Sequence, residues 1–323
     1  MAPALSLGLA GLAGGCHAAG VGAAGGTAIS CEQARPPAQY QTRAAAVKAA
    51  AGAFLAAPPP PLRALVSRGT ILDQQAQLAR RDVSGYVLEI AFEGVNHLLG
   101  LRVSNATRQI IGHELEPARE LPSADIRRAP VTIGLPFRTT WWVQSGGPSA
   151  ARNVHADTVD QRLALDLTMW RDGGTYAGDG SRLDQYWVWN QPVTSPADGT
   201  VVEVVSGEPD LLPAAAGRSS HPAGNYVLLD LGQGTYALLA HFRKDSVTVR
   251  AGQRVAKGQL LGACGSSGRA TEPHLHVHLQ DRPYLFRDAR ALAPVFEPYC
   301  RNGTTEASGA EPTAGDFISP RPK

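Results

Sequence analysis

The chain has 323 residues, a length typical of about two domains, and 43% of them are hydrophobic, which excludes wholesale disorder. Its formal net charge is +2, without the strong basic excess that proteins binding nucleic acid phosphates usually show. The 35 glycines, 24 prolines and 18% charged residues favour a turn-rich β protein over a helical bundle. We therefore expect a mainly β chain and no nucleic acid partner.

Residues 1–30 are predicted to be a secretory leader. The apolar run 4–15 ends in small residues before Cys16 and is too short to span a bilayer as a helix. The first basic residue is Arg35, so the usual basic flank is missing. Two alternatives stay open, namely lipidation of Cys16 with membrane anchoring and a plain Ala/Gly tail. We expect export to the periplasm or cell envelope, or beyond it.

The other cysteines match no metal-binding spacing. They are Cys31, Cys264 and Cys300, and their pairing cannot be deduced from sequence. A disulfide is allowed if the protein is exported.

A helix and a small domain are predicted to follow the leader. Residues 31–61 form an Ala/Pro-rich helix and linker, with the helix at 41–56 and a stop at Pro58–Pro61. Residues 62–130 contain runs of alternating polar and apolar residues, typical of paired strands, and predict a small α+β domain of the cystatin-like or NTF2-like kind. His97 and His113 lie there, isolated from other ligand types, and are interpreted as structural.

Residues 136–300 are predicted to form a compact antiparallel β-sheet or barrel-like domain, because short strands alternate with glycine-rich turns. Tyr186, Trp187 and Trp189 form either a groove wall or part of the core. Residues 301–323 are polar and are predicted to be a weakly structured tail.

The strongest chemical signal is PHLHVHL, residues 273–279. Alternate residues of a strand share a face, so His274, His276 and His278 point one way while the Leu and Val side chains enter the core. Three imidazoles on one face have no packing reason and indicate metal binding or histidine-based catalysis. A catalytic zinc commonly has three protein ligands and an open position, and a carboxylate is the expected further ligand type.

The second half of the chain resembles the lysostaphin/LytM-type zinc metalloendopeptidases, which cut peptidoglycan cross-bridges and have the duplicated hybrid motif fold. The resemblance rests on ordered stretches from Ser195 to Asp281. They are SPADGTVV (195–202), GNYVLLDLGQGTYALLAHF (224–242), VRAGQRVAKGQLLGACGSSG (249–268) and PHLHVHL (273–279).

Carried over residue by residue, the resemblance implies that His276 is a zinc ligand and that His274 and His241 are catalytic. His278 is interpreted as a residue that supports the ligands or lines the cleft, with a partly exposed strand residue as the alternative. His221 is interpreted as a loop residue that could edge the cleft.

The other two ligands depart from the pattern. The family commonly places a His four residues before an Asp, but Arg162 holds that position before Asp166. Some branches of the family resemble this layout with a longer spacer, and the ligands are then His155 and Asp166. Asp157 and Asp160 are fallback carboxylates. In the rival interpretation His155 is a loop residue and Asp166 pairs with Arg162 or Arg171, which makes the site degenerate.

The resemblance implies an exported enzyme that holds one zinc ion per chain and cuts peptidoglycan stem peptides or cross-bridges. A water on the zinc would attack the scissile carbonyl, with His274 and His241 assisting. One alternative is a catalytically degenerate, murein-binding regulatory module of the same fold. Another is a biotinyl- or lipoyl-type carrier, but Lys244 and Lys257 lack the flanking residues of a modified lysine, and that interpretation leaves PHLHVHL unexplained.

Overall fold

Strands dominate the part of the chain that the computed structural model describes, which is residues 30–118, 126–213, 219, 221–285 and 288–322. The expected mainly β fold class, with antiparallel sheets and a helical N-terminal region, is confirmed. The predicted leader, including Cys16, lies outside these residues apart from Ser30. No helix in this part of the chain has the length and apolar character needed to cross a membrane.

Two helices precede most of the strands. The helices are α1 (Ala38–Ala56) and α2 (Arg63–Arg68), with short 3-10 turns at Glu32–Ala34, Pro60–Leu62 and Leu183–Gln185. The strands are β1 (Thr70–Gln77), β2 (Val83–Phe92), β3 (Val95–Ser104), β4 (Ile110–Pro117), β5 (Arg127–Ile133), β6 (Trp141–Ser145), β7 (Leu165–Thr168), β8 (Pro192–Thr194), β9 (Gly199–Val205), β10 (Asn225–Asp230), β11 (Tyr236–Phe242), β12 (Arg254–Val255), β13 (Leu260–Ala263), β14 (Leu275–Gln280), β15 (Ala291–Phe296), β16 (Tyr299–Arg301), β17 (Thr304–Glu306) and β18 (Phe317–Pro320).

The N-terminal sheet is an antiparallel meander in the order β1-β2-β3-β4. Alternate residues of β2 and β3, such as Leu88 and Leu101, are buried and face α1, as the period of two requires. α1 contributes an apolar stripe and ends at Ala56, because the prolines from Pro58 onward cannot continue a helix. The buried residues of α1 are Tyr40, Val47 and Ala51.

This N-terminal sheet shares its core with the second half of the chain. The Tyr40 ring lies 6.1 Å from Trp142, 5.1 Å from Trp170 and 4.9 Å from Phe317, each in an edge-to-face contact. The same three residues belong to the cluster that holds Leu88. The N-terminal unit is therefore packed directly against the large sheet.

The prediction that residues 301–323 form a weakly structured tail is wrong. β18 enters the large sheet between β6 and β16, and Phe317 and Ile318 are buried. Arg301 Nε lies 2.8 Å from Asp316 Oδ2 and secures the approach to β18. The apolar run of β18 is too short to show a period in a polar sequence, and its partners lie far away in the chain.

Cys31 and Cys300, which are 269 residues apart, form a disulfide. The bond ties the segment before α1 to β16, which lies next to the edge strand β17 of the large sheet. Cys264 is a free, buried thiol.

The large sheet positions the candidate site. Its order is β12-β9-β10-β11-β14-β7-β6-β18-β16-β17, with β15 pairing both β14 and β5, while β8 and β13 pair in a small separate sheet. One face carries the main hydrophobic core, to which Leu167, Val227, Leu239 and Val277 contribute. The opposite face of β11, β14 and β7 carries a cluster of polar residues.

Candidate metal centre

Strand β14 places its histidines on the face away from the main core, as its sequence predicts. His276 and His278 are buried, at 3% and 2% exposed, and His274 is buried immediately before the strand. The intervening side chains belong to the main core, so the alternation is confirmed. These core residues are Leu275, Val277 and Leu279.

Asp166 lies on the neighbouring strand β7, directly opposite His276 in the antiparallel register. Leu165 and Leu167 on either side of it enter the main core, which turns the carboxylate to the histidine face. Asp166 Oδ1 lies 2.9 Å from His276 Nδ1 and 3.6 Å from His274 Nε2.

His155 reaches the same place from a loop between β6 and β7. The buried Asn153 organises this loop, because its Oδ1 accepts from the His155 backbone N–H at 2.9 Å while its Nδ2 donates to the Arg162 carbonyl at 2.9 Å. These contacts bring the two ends of the spacer between His155 and Asp166 close together. His155 Nε2 lies 2.9 Å from Asp166 Oδ2. Ligand atoms of His155, Asp166 and His276 all lie within 4.8 Å of one another.

His241 lies at a β-bulge near the end of β11. The register with β10 slips there, since Asn225 pairs with Phe242 but Tyr226 pairs with Ala240. His241 has a φ of 66°, a left-handed conformation that non-glycine residues rarely adopt. In a regular strand the side chain of His241 would point to the face opposite that of Ala240. The bulge changes this direction and brings the ring beside His274. The His241 ring centroid lies 4.6 Å from that of His274.

The backbone fixes the proton position on both histidines. His241 Nδ1 donates to the Ser267 carbonyl at 2.7 Å, and His274 Nδ1 donates to the Glu272 carbonyl at 2.8 Å. A carbonyl can only accept, so Nδ1 of each ring carries a proton, and Nε2 is the nitrogen left to face the cluster.

Burial and neighbouring charges shift the pKa values of the carboxylate and of the imidazoles in this cluster. Burial lowers the pKa of His276 to about 3 and lowers that of His241 well below its ordinary value. Burial also opposes charge on His155, but the Asp166 carboxylate outweighs it and the pKa of His155 is raised. Burial raises the pKa of Asp166, yet the positive charge of His155 beside it outweighs burial and holds that pKa well below its usual range. An anionic oxygen thus lies beside imidazole nitrogens, and these are suitable ligand atoms for a divalent cation.

Sequence reasoning missed several supporting residues. Glu272 is buried beside His274, and its Oε1 accepts from Gln144 Nε2 at 2.8 Å and its Oε2 from Thr175 Oγ1 at 3.2 Å. Burial raises the pKa of Glu272. The side chain of Gln280 contacts His278. Gln280 continues the alternation of β14, so the period of two in this strand could have indicated it as a supporting residue. Glu272 could not be found in this way, because its partners come from distant segments.

A cleft of about 810 Å³ opens onto the cluster. Asp166, His274 and Tyr186 line this cleft together with Arg80 and Arg102 of the N-terminal unit. Tyr186 therefore lines a groove, as one of the two sequence interpretations held, while Trp187 packs against the main core.

The other histidines in the described part of the chain lie apart from this cluster. His97 Nδ1 lies 3.1 Å from the Val95 carbonyl on its own strand, and the His113 ring lies beside Phe54. His221 stacks on Tyr226. The fallback carboxylates Asp157 and Asp160 are not members of the group formed by His155, Asp166 and His276 among the described residues.

Comparison with known proteins agrees with the chemistry of this cluster. Residues 187–284 match the family model of Peptidase family M23. The peptidoglycan DD-endopeptidase ShyA of Vibrio cholerae serotype O1 is 30% identical over 199 residues, covering 58% of this chain and 42% of that protein. An uncharacterized metalloprotease of Haemophilus influenzae is 39% identical over 93 residues, covering 28% of this chain and 17% of that protein.

The similarity covers less than half the length of either of these relatives. The catalytic domain of lysostaphin from Staphylococcus simulans aligns with a TM-score of 0.28 at 20% identity, over 48% of this chain and 88% of that one, and a global similarity this low carries no argument. The range matched by the family model contains His241, His274 and His276, whereas His155 and Asp166 precede it. Residues 187–284 of the chain are therefore a peptidase family M23 domain, as the resemblance predicted.

Proposed function

We propose that the chain is an exported zinc metalloendopeptidase that hydrolyses peptide bonds of peptidoglycan. The observation that carries the proposal is the grouping of ligand atoms from His155, Asp166 and His276 within 4.8 Å, with His274 and His241 beside them. A cleft large enough for an extended peptide leads to this group.

The residues fit a zinc ion by their chemistry. Two imidazoles and one carboxylate are a ligand set typical of catalytic zinc, which leaves a further position open. Lowered pKa values keep His276 neutral and Asp166 ionised at pH 7, as ligation requires, and His155 gives up its proton on binding a metal. A zinc ion held there supplies Lewis acidity, polarising a carbonyl oxygen and lowering the pKa of a bound water.

His274 is suited to take a proton in the cleft. Its Nδ1 proton is held by the Glu272 carbonyl, so Nε2, which lies 3.6 Å from Asp166 Oδ1, is the nitrogen that can exchange a proton in the cleft. A water or substrate oxygen at hydrogen-bond distance from Nε2 can lose its proton to this ring. The same ring can then return a proton to the peptide nitrogen that leaves.

His241 takes part in proton transfer in this proposal. Its Nδ1 proton is committed to the Ser267 carbonyl, and burial holds its pKa well below the usual range. The resting ring is therefore neutral and offers a lone pair. It can donate to an oxyanion only after it has gained a proton during the reaction, so we assign it a place in proton transfer beside His274.

Substrate and location rest on separate observations. The relatives include proteins named peptidoglycan DD-endopeptidase and glycyl-glycine endopeptidase. The Cys31–Cys300 disulfide is typical of proteins that fold in an oxidising compartment, which supports export.

The degenerate regulatory module is less well supported. Its argument was the missing His four residues before Asp166, and the loop organised by Asn153 brings His155 within 2.9 Å of that carboxylate instead.

The proposal is tested with purified protein and purified murein. We expect near-stoichiometric zinc, release of peptide-cleaved products detected by mass spectrometry, and loss of both with a chelator or in His276→Ala. His97→Ala, which removes a histidine outside the cluster, serves as the control and should keep both. Zinc-free purified protein, or murein cleavage by His276→Ala, would falsify the proposal.

A further inference from the structure

Gln280 has a fixed amide orientation at the end of β14. Its Nε2 lies 2.5 Å from the Arg282 carbonyl oxygen and 3.1 Å from the Tyr284 carbonyl oxygen. Carbonyl oxygens only accept, so the NH2 group must face them and Oε1 must face the other way. Oε1 lies 2.8 Å from His278 Nε2.

This orientation determines the proton positions along the strand. His278 Nε2 must donate to the Gln280 oxygen, so the neutral His278 ring has a bare Nδ1. His276 Nε2 lies 2.8 Å from that Nδ1 and must therefore carry a proton. The Nδ1 of neutral His276 is then a bare lone pair, 2.9 Å from Asp166 Oδ1. Two acceptors face each other at the place where a cation would join them.

We propose that Gln280 and His278 are positioning residues that hold the metal ligand His276 in its Nε2–H tautomer, with Nδ1 as the ligating atom. This inference rests on the proposed function for the identity of the metal, but the tautomer itself is a property of the metal-free chain. Hydrogen-bond partners behind a ligating histidine typically contribute 10–100-fold to metal affinity.

The test compares wild type with Gln280→Met, which removes the acceptor, and Gln280→Glu, which keeps an oxygen acceptor for His278. Long-range nitrogen–proton NMR spectra of histidine-labelled, metal-free protein report which His276 nitrogen carries the proton. Zinc affinity is measured by competition with a chelating dye. Thermal unfolding shows that each variant is folded.

We expect the wild-type His276 to be protonated at Nε2. In Gln280→Met both tautomers should appear, with zinc affinity about tenfold weaker, and Gln280→Glu should restore the single tautomer. A wild-type proton on Nδ1, or an unchanged tautomer and affinity in Gln280→Met, would overturn the inference. If wild type binds no zinc and cleaves no murein, the proposed function fails, while the NMR result still decides the tautomer.

A second feature, independent of the histidines, concerns the segment after β1. Hydrogen bonds to its backbone carbonyls fasten this segment to the 170–176 loop: the Trp170 side-chain Nε1 donates to the Leu78 carbonyl at 2.9 Å, and the Thr175 backbone N–H donates to the Ala79 carbonyl at 3.0 Å. Arg81 Nε donates to the Tyr176 carbonyl at 2.9 Å. The residue between these anchors, Arg80, keeps a side chain that is 70% exposed.

Arg80 lies on the wall of the catalytic cleft. It is close enough to buried Glu272 for its charge to act on the pKa of that carboxyl, although burial dominates the pKa. Its nearest charged contact is an exposed pair, with Arg80 Nε 3.6 Å from Asp82 Oδ1, a type that contributes little in water. Arg102 lines the same cleft and is exposed. The N-terminal unit therefore contributes two arginines to the cleft that His274 also lines.

We infer that Arg80 binds a carboxylate of the peptide substrate, so that the N-terminal unit selects acidic peptides. This rests on the proposed endopeptidase function. Guanidinium binds carboxylate through paired, charge-assisted hydrogen bonds. Stem peptides with free carboxylates can form this contact with Arg80, whereas amidated stem peptides have no carboxylate to form it.

The test measures kcat and KM on a muropeptide dimer with free carboxylates and on the same dimer amidated. Arg80→Gln should raise KM on the free dimer about tenfold, the loss of one charge-assisted contact, and should leave KM on the amidated dimer unchanged. Arg68→Gln, which removes an exposed arginine outside the cleft, is the matched control. An equal KM for wild type and Arg80→Gln on the free dimer would overturn the inference. Wild type inactive on both dimers would instead count against the proposed function.

Discussion

At the residue scale, the chemistry depends on which ring nitrogen of each histidine carries the proton. The Ser267 and Glu272 carbonyls hold the Nδ1 protons of His241 and His274, while the contacts of Gln280 place a proton on the opposite nitrogen of His276. Histidines with the same side chain therefore differ in role, because their hydrogen-bond partners, most of them backbone carbonyls, differ. The PHLHVHL pattern predicts which histidines share a face, but it carries no information on these neighbours.

Glu311 is a residue-scale source of pH dependence. Burial raises its pKa to about 8, and its Oε1 is a buried oxygen with no hydrogen-bond partner among the described residues. Because the folded pKa lies above the ordinary value of 4.5, the folded chain binds more protons than the unfolded chain between these values. The stabilising contribution is present below about pH 4.5 and is lost as the pH rises toward 8.

We expect the melting temperature to fall over this range and the fall to be smaller in Glu311→Gln, which should be more stable than wild type at pH 8. Thermal unfolding from pH 5 to 8 measures this. Glu32→Gln, at an exposed carboxylate, controls for the change in net charge. A parallel pH dependence in wild type and Glu311→Gln would contradict the expectation.

At the element scale, the loop that carries His155 is fastened to the N-terminal sheet. Arg152 Nε and Nη2 lie 2.7 and 3.0 Å from the two carboxylate oxygens of Asp73, and Arg152 Nη1 donates to Gln75 Oε1 at 2.8 Å. Ser149 also hydrogen-bonds to Asp73. Burial raises the pKa of Asp73, but the hydrogen bonds from Arg152 and Ser149 outweigh it and the pKa is lowered. β1 therefore supports one of the candidate metal ligands.

We expect Arg152→Ala to reduce the free energy of unfolding by about 1–3 kcal/mol, since it takes the charged partner from a partly buried carboxylate, and to weaken zinc binding. Arg301→Ala is a matched control, because Arg301 is equally exposed and pairs with Asp316 away from the cluster. It should destabilise the fold without changing zinc affinity. Chemical denaturation and zinc titration measure the two quantities. Equal zinc affinity in Arg152→Ala and wild type would show that the loop is held without this pair.

Much of this arrangement could be predicted from the sequence at the level of elements. The alternation in β14 and the strands of the large sheet follow from local periods of two. The closure of the loop from His155 to Asp166 could not be predicted in the same way, because it depends on the side-chain amide of Asn153 bridging backbone groups up to eleven residues away. The bulge at His241 depends on a register slip against β10, which no single strand encodes.

At the scale of the whole molecule, the two halves of the chain form one packed body. Tyr40 of α1 contacts Trp142, Trp170 and Phe317, and the segment after β1 is hydrogen-bonded to the 170–176 loop. The sequence predicts separate regions because composition and periodicity are local. Contacts between residues more than a hundred positions apart, such as Tyr40 with Phe317, leave no local period, and the strand character of β18 was missed for the same reason.

The N-terminal sheet, the residues that line the cleft and every residue of the candidate site lie between Cys31 and Cys300 in the sequence, and the disulfide joins these two cysteines. A protease that cuts a surface loop anywhere between these cysteines therefore leaves two fragments that are still one molecule. Such fragments cannot diffuse apart, and they separate on a gel only after reduction. If the chain is exported as proposed, a first proteolytic cut would in this way leave its parts together as one molecule.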